Sequence, residues 1–386
     1  MLIILICLMP VIGAWGWTLL PLGLLLILKS GEWRPGGWEF GLVGLTFGVT
    51  TALSTGFQPG RNGFDPRFLL ETEGWILMAW LVSWAIPREL GQKVLRFLVL
   101  TSLIWIFLGL QQLAAGVPTN PGWLEGAQPK LIPIRIFSVF VNPNIYALYL
   151  LGVLVFAVEF AALRLNLGLK VTYGIVAGLA LLSLYFTYSR MAWILAGIYG
   201  FGRLIHSLKW RGLIVIIVGF SGLLAIPAFR IRLGSLVNFT DSSLHYRIQI
   251  WRGVVRALGS FWLWGAGPGS FPAIYPLYQI GNTPAQHAHQ LYLQIWLEYG
   301  IFGLAGFIFL VIQLLRNSNP LGLRTVLLIY LGYGFSETWY LNHYVGGFFW
   351  LAAGLLGTAS GRGQNQPDQK ELKDNKEEQG VRGIGK

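Results

Sequence analysis

The sequence has few charged residues, few acidic ones and almost no cysteine. Charged side chains make up 11% of the 386 residues, whereas soluble domains average about 25%. A single cysteine, Cys7, excludes an intramolecular disulfide and says nothing about the redox compartment. The 16 acidic residues include no Asp-x-Asp pair of the kind that holds a divalent ion on a sugar nucleotide. An ordinary soluble fold and metal-dependent sugar transfer are therefore both disfavoured.

The sequence is instead rich in apolar residues, which arrive in long blocks. Hydrophobic residues make up 54% of the chain, and the mean hydropathy is +0.59. Residues 171–186, 213–229 and 295–315 are clear examples, and runs of about this length indicate membrane helices. The first run, residues 2–28, has no basic n-region or clear cleavage site, so we expect it to be retained. We predict an all-α polytopic membrane protein.

The apolar blocks predict about twelve transmembrane helices, or eleven if the first two form one helix bent at Pro10, Gly13 and Pro21. Residues 1–361 would form the transmembrane domain. The polar segment 362–386 is predicted to be a disordered cytoplasmic tail. The predicted spans are 2–13, 16–28, 39–57, 68–86, 94–115, 138–162, 171–187, 191–206, 212–229, 290–315, 321–336 and 343–360.

The loop charges favour cytoplasmic termini. With this orientation the inner loops hold twelve Lys and Arg residues and the short outer loops hold five, as the positive-inside rule expects. The longest loop, residues 230–289, then lies outside. It carries five arginines against one acidic residue, Asp241. Long loops cross regardless of charge, so the topology stands, but an arginine-rich outer loop calls for a functional reason.

Part of this outer loop, residues 244–258, has helical period. One face is apolar and the other polar, so we expect an amphipathic helix on the membrane surface. Arg247 lies beside the apolar face, where it either snorkels to lipid headgroups or points inward at a buried anion. The apolar face would hold Leu244, Ile248, Trp251, Val255 and Leu258, and the polar face His245, Gln249, Arg252 and Arg256.

A glycine-rich stretch, WLWGAGPGSF at 262–271, follows this helix. A phosphate-binding loop is disfavoured, because Pro268 stands between the glycines and no strand–helix context surrounds them. The stretch is better explained as a tight turn that returns the chain to the membrane.

His287 and His289 stand one residue apart at the start of a predicted span. Three interpretations are open: a metal site that lacks an evident third ligand, a cap of the next helix, or acid–base chemistry near neutral pH. Glu298 lies nine residues further on and faces the opposite way on a helix, which favours a packing or hydrogen-bonding role. Glu337 lies with His343 near the next predicted outer loop, and its role is likewise left open between a structural and a functional one.

Four segments in order resemble the O-antigen ligase and O-antigen polymerase superfamily of integral membrane glycosyltransferases, over residues 130–315. Three of them depart from the family pattern: Ser138 replaces a glycine, Phe261 or Trp262 a proline, and Gln290 an asparagine. The segments are RIFSVFVNPNIYALYL (135–150), TYSRMAWI (187–194), RIQIWRGVVRALGSFWLWGAGPGSF (247–271) and HAHQLYLQIWLEYGIFGL (287–304).

The resemblance implies transfer of a glycan from a polyprenyl diphosphate carrier, usually undecaprenyl diphosphate, to an acceptor hydroxyl at the outer face of the inner membrane. It implies no metal and no cofactor. By this resemblance, His289 orients or deprotonates the acceptor, and His287 has a weaker claim. Arg190, Arg247 and Arg135 would hold the leaving diphosphate, because guanidinium groups stay protonated and donate in pairs. Arg252, Arg256 and Glu298 are possible accessory residues.

The acceptor implied by the resemblance depends on the kind of enzyme. A ligase would use the lipid A core and serve lipopolysaccharide assembly, whereas a polymerase would use another lipid-linked repeat. Ligase is slightly preferred. The alternatives are a transporter for an anion such as bicarbonate or for a lipid-linked precursor, and a membrane scaffold without chemistry. Transport is disfavoured because no internal repeat is visible and the polar candidates gather on one face of the membrane.

Overall fold

The computed structural model describes residues 38–57, 65–86, 88–118, 134–140, 142–163, 165–227, 229–230, 234, 242–316 and 322–357. In this part of the chain all regular secondary structure is helical, so the all-α prediction is confirmed. The helices are α1 Trp38–Phe57, α2 Pro66–Ala85, α3 Arg88–Ala114, α4 Pro143–Ala162, α5 Leu167–Phe186, α6 Arg190–Leu208, α7 Trp210–Ala225, α8 Ser242–Phe261, α9 Phe271–Ile274, α10 Leu291–Arg316, α11 Leu323–Tyr333 and α12 His343–Gly357.

Ten of the predicted spans, from 39–57 to 343–360, each overlap one of these helices. The spans 2–13 and 16–28 and the tail 362–386 lie outside the described residues, so the total number of spans stays a prediction. Four helices are long and apolar enough to cross a membrane: Leu90–Ala114 within α3, α4, α5 and α10. The chain is an integral membrane protein.

Helix α4 forms the centre of the bundle, and most of its side chains are buried. It packs against α3, α5, α6, α11 and α12. Between helices in a lipid phase, close packing stabilises association because lipid is as apolar as the side chains. Small residues allow this approach. A Cβ at Gly152 would lie 2.7 Å from the Phe348 ring, and one at Gly354 would lie 2.6 Å from the Ala79 carbonyl oxygen.

The N-termini of α4, α6 and α10 meet at one end of the bundle. Helix α4 begins with Pro143 after Asn142, whose side chain accepts the Asn144 N–H. The Tyr333 hydroxyl, at the end of α11, donates to the Asn144 carbonyl at 2.9 Å and lies 2.8 Å from Ser189 Oγ. The Leu291 N–H donates to the Gly334 carbonyl at 2.7 Å. The turn after α11 therefore joins the three helix starts.

Helix α8 runs beside the first part of α10. The Trp251 indole donates to the Ala288 carbonyl, and the Trp296 indole donates to the Trp262 carbonyl, both at 3.0 Å. The sequence predicted this helix, but it did not show which of its faces packs inside the protein. Val255 is 59% exposed, because a different stripe of α8 packs against α10 and the 271–278 turn. The buried stripe is Ile250, Val254, Ala257, Leu258 and Phe261.

The glycine-rich segment after α8 is a tight turn, as predicted, and it packs into a break in α10. Gly300 has φ 67° and ψ −175° within that helix. Around the break, Ala266 N–H donates to the Leu297 carbonyl, and Ile301 N–H donates to the Trp262 carbonyl. A Cβ at Gly265 would lie 2.4 Å from the Glu298 carbonyl oxygen. The turn and the broken helix therefore need glycine at both contact points.

Candidate active site

A polar cavity with an empty volume of about 340 Å³ opens where the helix starts meet. It is lined by the three arginines that the sequence nominated from distant positions, and one carboxylate, that of Glu337, lies among them. We call it the arginine cavity. Its lining residues are Arg135, Asn144, Tyr188, Ser189, Arg190, Met191, Arg247, Tyr333, Ser336 and Glu337.

Arg135 lines the cavity and also connects two of the helices that surround it. Its side chain is buried, at 5% exposure. Its Nε donates to the Thr187 carbonyl at 2.9 Å, and one terminal nitrogen donates to Asn144 Oδ1 at 3.0 Å. Arg135 thus holds the end of α5 and the start of α4 in register, so the diphosphate-binding role predicted for it would be combined with a structural one.

Arg190 and Arg247 reach the cavity from two different helices. Arg190 is the first residue of α6, and Ser189 before it makes no side-chain cap, because its hydroxyl contacts Tyr333 instead. The start of α6 lines the cavity, and the positive end of its helix dipole favours an anion there. Arg247 is half-buried on α8 and lines the cavity. The structure thus favours the inward interpretation of Arg247 over snorkelling.

Arg252 and Arg256, nominated as possible accessory residues, are not brought to the cavity. Both are exposed, and neither lies among the residues that line it. Helical geometry explains the difference, since positions five and nine residues after Arg247 point about 140° and 180° away from it. The sequence could not decide this, because the buried face of α8 is set by its packing partners.

His287, His289 and Glu337 form one cluster beside the arginine cavity. Glu337 Oε1 lies 3.4 Å from His289 Nδ1 and 3.8 Å from His287 Nδ1. The two imidazole rings have centroids 4.1 Å apart. Glu337 is 2% exposed, while both histidines are partly exposed. Because Glu337 also lines the cavity, it links the histidines to the arginines.

The backbone that carries these groups is held in unusual conformations. Four non-glycine residues in the described part of the chain have positive φ, and three of them are Ser138 (53°), Tyr188 (51°) and His289 (49°). Each lies in a segment that forms the site. Ser138 stands where the family pattern has glycine, and glycine adopts this conformation without strain. Strained backbone of this kind concentrates at functional sites.

His289 does not cap α10, so the capping interpretation was wrong. The Gln290 side chain takes that role and accepts the Leu293 N–H. The Gln290 N–H donates to Thr338 Oγ1 at 3.1 Å. Gln290, which replaces an asparagine of the family pattern, therefore keeps the capping function, and the His289 ring is left available for chemistry.

The two histidines have different surroundings. Burial and the neighbouring His289 lower the pKa of His287 to about 4, so His287 is neutral near pH 7. Burial alone would raise the pKa of the Glu337 carboxyl, but His289, His287 and Arg247 lower it below its usual range. Glu337 is therefore ionised at neutral pH.

The cluster includes a third candidate metal ligand, Glu337, beside the two histidines. Candidate ligand atoms of His287, His289 and Glu337 lie within 4.8 Å of one another. Glu337 was left open in the sequence and was not connected with the histidines, because 48 residues separate it from His289 and only the fold brings them together. Three guanidinium groups line the adjoining cavity and oppose a divalent cation there. The arrangement therefore favours acid–base chemistry beside an anion.

Glu298 lies behind the site and does not line the cavity. It is 1% exposed and accepts hydrogen bonds from Gln294 Nε2 and the Tyr340 hydroxyl. The backbone N–H groups of Gly269 and Phe271 also donate to it, and Gln294 in turn accepts the Ala288 N–H at 2.7 Å. Glu298 therefore holds the glycine turn and the histidine segment on α10, which agrees with the hydrogen-bonding role favoured for it.

Residues 175–308, about one third of the chain, match the family model described as O-antigen ligase. This match confirms the resemblance seen in the sequence motifs. The matched stretch includes Arg190, Arg247, His287 and His289, whereas Arg135 and Glu337 lie outside it. No curated protein matches the chain significantly.

Proposed function

We propose that the chain, whose residues 175–308 match the family model described as O-antigen ligase, transfers a glycan from a polyprenyl diphosphate carrier to an acceptor hydroxyl. The reaction would take place at the outer face of the inner membrane, in surface polysaccharide or lipopolysaccharide assembly. One observation carries this proposal: three arginines from separate segments line a cavity whose carboxylate contacts a histidine.

The arginines suit the donor. A polyprenyl diphosphate gains charge on its diphosphate as the glycosyl bond breaks, and donors fixed in advance stabilise that charge without reorganisation. Arg190 and Arg247 supply planar pairs of N–H groups, and the uncapped start of α6 adds backbone N–H groups and a positive helix end. The buried Arg135 completes the wall and keeps the helix starts in place.

The histidine suits the acceptor. His289 lies beside Glu337, which lines the cavity, and in this proposal an acceptor hydroxyl at the cavity meets both the His289 ring and a donor held by the arginines. A neutral imidazole accepts the hydroxyl proton near pH 7 as the new glycosidic bond forms. No step requires a metal, because the arginines would carry the charge that a divalent ion would otherwise neutralise.

The proposal is tested in a strain that lacks the gene. The strain is complemented with the wild type, with His289→Ala, or with His245→Ala as a matched control. His245 is an exposed histidine on α8 that does not line the cavity. After equal membrane levels are confirmed, surface glycolipids and lipid-linked glycans are extracted and separated on gels.

We expect the wild type and His245→Ala to restore glycan on the acceptor, while His289→Ala leaves glycan on the carrier lipid, with transfer reduced about 100-fold or more. Loss of long chains on the carrier itself in the deletion strain would identify a polymerase. If deletion of the gene changes neither the surface glycolipids nor the lipid-linked glycans, glycan transfer is the wrong function. Uptake of anions such as bicarbonate is then measured instead. If His289→Ala restores everything, the assignment of His289 as the base is wrong.

A further inference from the structure

Glu337 is a buried carboxylate whose bonding is incomplete. Its Oε1 accepts the Thr338 N–H at 3.2 Å, while Oε2 is buried without a hydrogen-bond partner. A buried charge is costly unless it is paired. The nearest cationic or proton-donating side chains are those of the cluster and the cavity, so the partner of Glu337 must be sought among them.

The hydrogen bonds distinguish the two histidines as partners. The backbone N–H of His289 points at His287 Nδ1, 3.3 Å away, so this His287 nitrogen acts as an acceptor. It cannot then donate a proton to Glu337, which lies 3.8 Å from it. His289 Nδ1 is 3.4 Å from the same carboxylate oxygen and has no other partner.

The peptide around both residues supports this pairing. Gln290 N–H donates to Thr338 Oγ1 and Leu291 N–H donates to the Gly334 carbonyl, so the histidine segment is bonded to residues on both sides of Glu337. His289 has φ 49°, and from this backbone conformation its Nδ1 lies 3.4 Å from Glu337 Oε1. The fold thus fixes the carboxylate and the ring relative to each other.

We infer that Glu337 is the positioning residue for His289: it accepts the His289 Nδ1 proton and leaves Nε2 unprotonated toward the acceptor hydroxyl. This inference rests on the proposed function. In the transfer step, the hydroxyl proton moves to His289 Nε2 and the acceptor oxygen bonds to the sugar carbon. The bond from that carbon to the diphosphate oxygen breaks, and its electron pair leaves with the diphosphate. The Glu337 carboxylate stabilises the imidazolium that results.

The charges around the pair make this stabilisation necessary. Arg247 approaches from α8, Arg190 from α6 and Arg135 from the segment before α4, while neutral His287 and Tyr333 complete the surroundings. Three cations disfavour a fourth positive charge on His289. Glu337 offsets them where the imidazolium forms. Removing its charge should therefore leave the imidazolium formed during transfer without its compensating carboxylate.

The test uses the full-length protein in lipid nanodiscs. The substrate is the total lipid extract of the deletion strain, which contains both carrier-linked glycan and acceptor. Transfer rates are measured across pH for the wild type, Glu337→Gln, Glu337→Asp and Glu71→Gln. Glu71 is a half-buried carboxylate on α2, away from the cavity, and serves as the matched control. Thermal unfolding is recorded for every variant, and farnesyl diphosphate binding reports on the donor site.

We expect Glu337→Gln to lower the transfer rate about 100-fold and to shift the acidic limb of the pH profile to lower pH. Farnesyl diphosphate affinity should not weaken. Glu337→Asp should recover part of the rate and most of the wild-type profile, because it keeps the charge. Glu71→Gln should behave as the wild type does. A shifted limb separates positioning from a structural role, which would reduce the amount of folded enzyme without moving the profile.

Two outcomes overturn the inference while the proposed function stands. One is a Glu337→Gln variant with the wild-type rate and profile. The other is tighter farnesyl diphosphate binding with an unshifted limb, which would make Glu337 a counterion of the arginines. Absence of transfer by the wild type would instead refute the proposed function.

Discussion

Arg247 and Arg252 lie five residues apart on the same helix but in different environments. Arg247 is half-buried and lines the arginine cavity beside Glu337 and Arg190, whereas Arg252 is exposed, as is Arg256 one turn further along. Their charge is the same, so charge alone does not mark a site. The difference comes from the face of α8 that packs on α10. A basic outer loop is therefore a weak guide until its buried face is known.

The largest expected effect separates these arginines directly. Arg247→Ala should lower glycan transfer by about 100- to 1,000-fold, because a fixed donor to the developing diphosphate charge is lost. Arg252→Ala, the matched control, should stay within about 2-fold of the wild type, because an exposed side chain outside the cavity contributes little. Transfer is measured in nanodiscs with the lipid extract of the deletion strain. Equal losses in both variants would show that the whole basic face of α8 acts on the donor.

A second comparison concerns two buried carboxylates, Glu298 behind the site and Glu337 within it. Glu298→Ala should lower the free energy of unfolding by about 3 kcal/mol, because it leaves buried donors from Tyr340, Gln294 and the glycine turn unpaired. Thermal unfolding and transfer per folded molecule are compared with those of Glu337→Gln. Glu298→Ala should mainly lower stability, and Glu337→Gln mainly the rate. A Glu298→Ala enzyme that is stable but inactive would contradict this division.

The smallest expected effect tests the cluster as a metal site. Prolonged treatment with EDTA should change the transfer rate by less than about 2-fold, since the arginines oppose a divalent ion at the histidines. Metal content of the purified protein is measured in parallel. Loss of activity that zinc restores, together with loss of bound metal in His287→Ala, would make the cluster a metal centre and remove Glu337 from its positioning role.

Much of the site was visible in the sequence because its residues lie in short motifs next to apolar blocks. Arg135, Arg190, Arg247 and His289 were nominated in this way, and the fold brings the three arginines to one cavity with His289 beside it. Two positions that depart from the family pattern were also informative. Ser138 occupies a glycine position and has positive φ, and Gln290 caps α10 where the family pattern has asparagine.

Other features could not be read from the sequence. Helical period placed Val255 on the apolar face of α8 but did not show which stripe packs inside the protein, and Val255 lies outside that stripe. Glu337 was left open because no local motif connects it with His289, and their contact depends on the turn after α11 reaching the start of α10. The His-x-His spacing does not show which of the two imidazole rings pairs with a carboxylate. A single backbone N–H, from His289 to His287 Nδ1, makes that distinction.

By itself, the sequence determined the membrane-embedded, all-helical class, the positions of ten helices, the resemblance to the O-antigen ligase family over residues 175–308 and the three arginines that line one cavity. These features depend on apolar block length and on short motifs, which are local. The tertiary structure decided which arginines face the cavity, which residue caps α10 and which carboxylate contacts the histidines. Those outcomes depend on how helices from distant parts of the chain pack, because packing alone sets which face of a helix is buried and which loop ends meet.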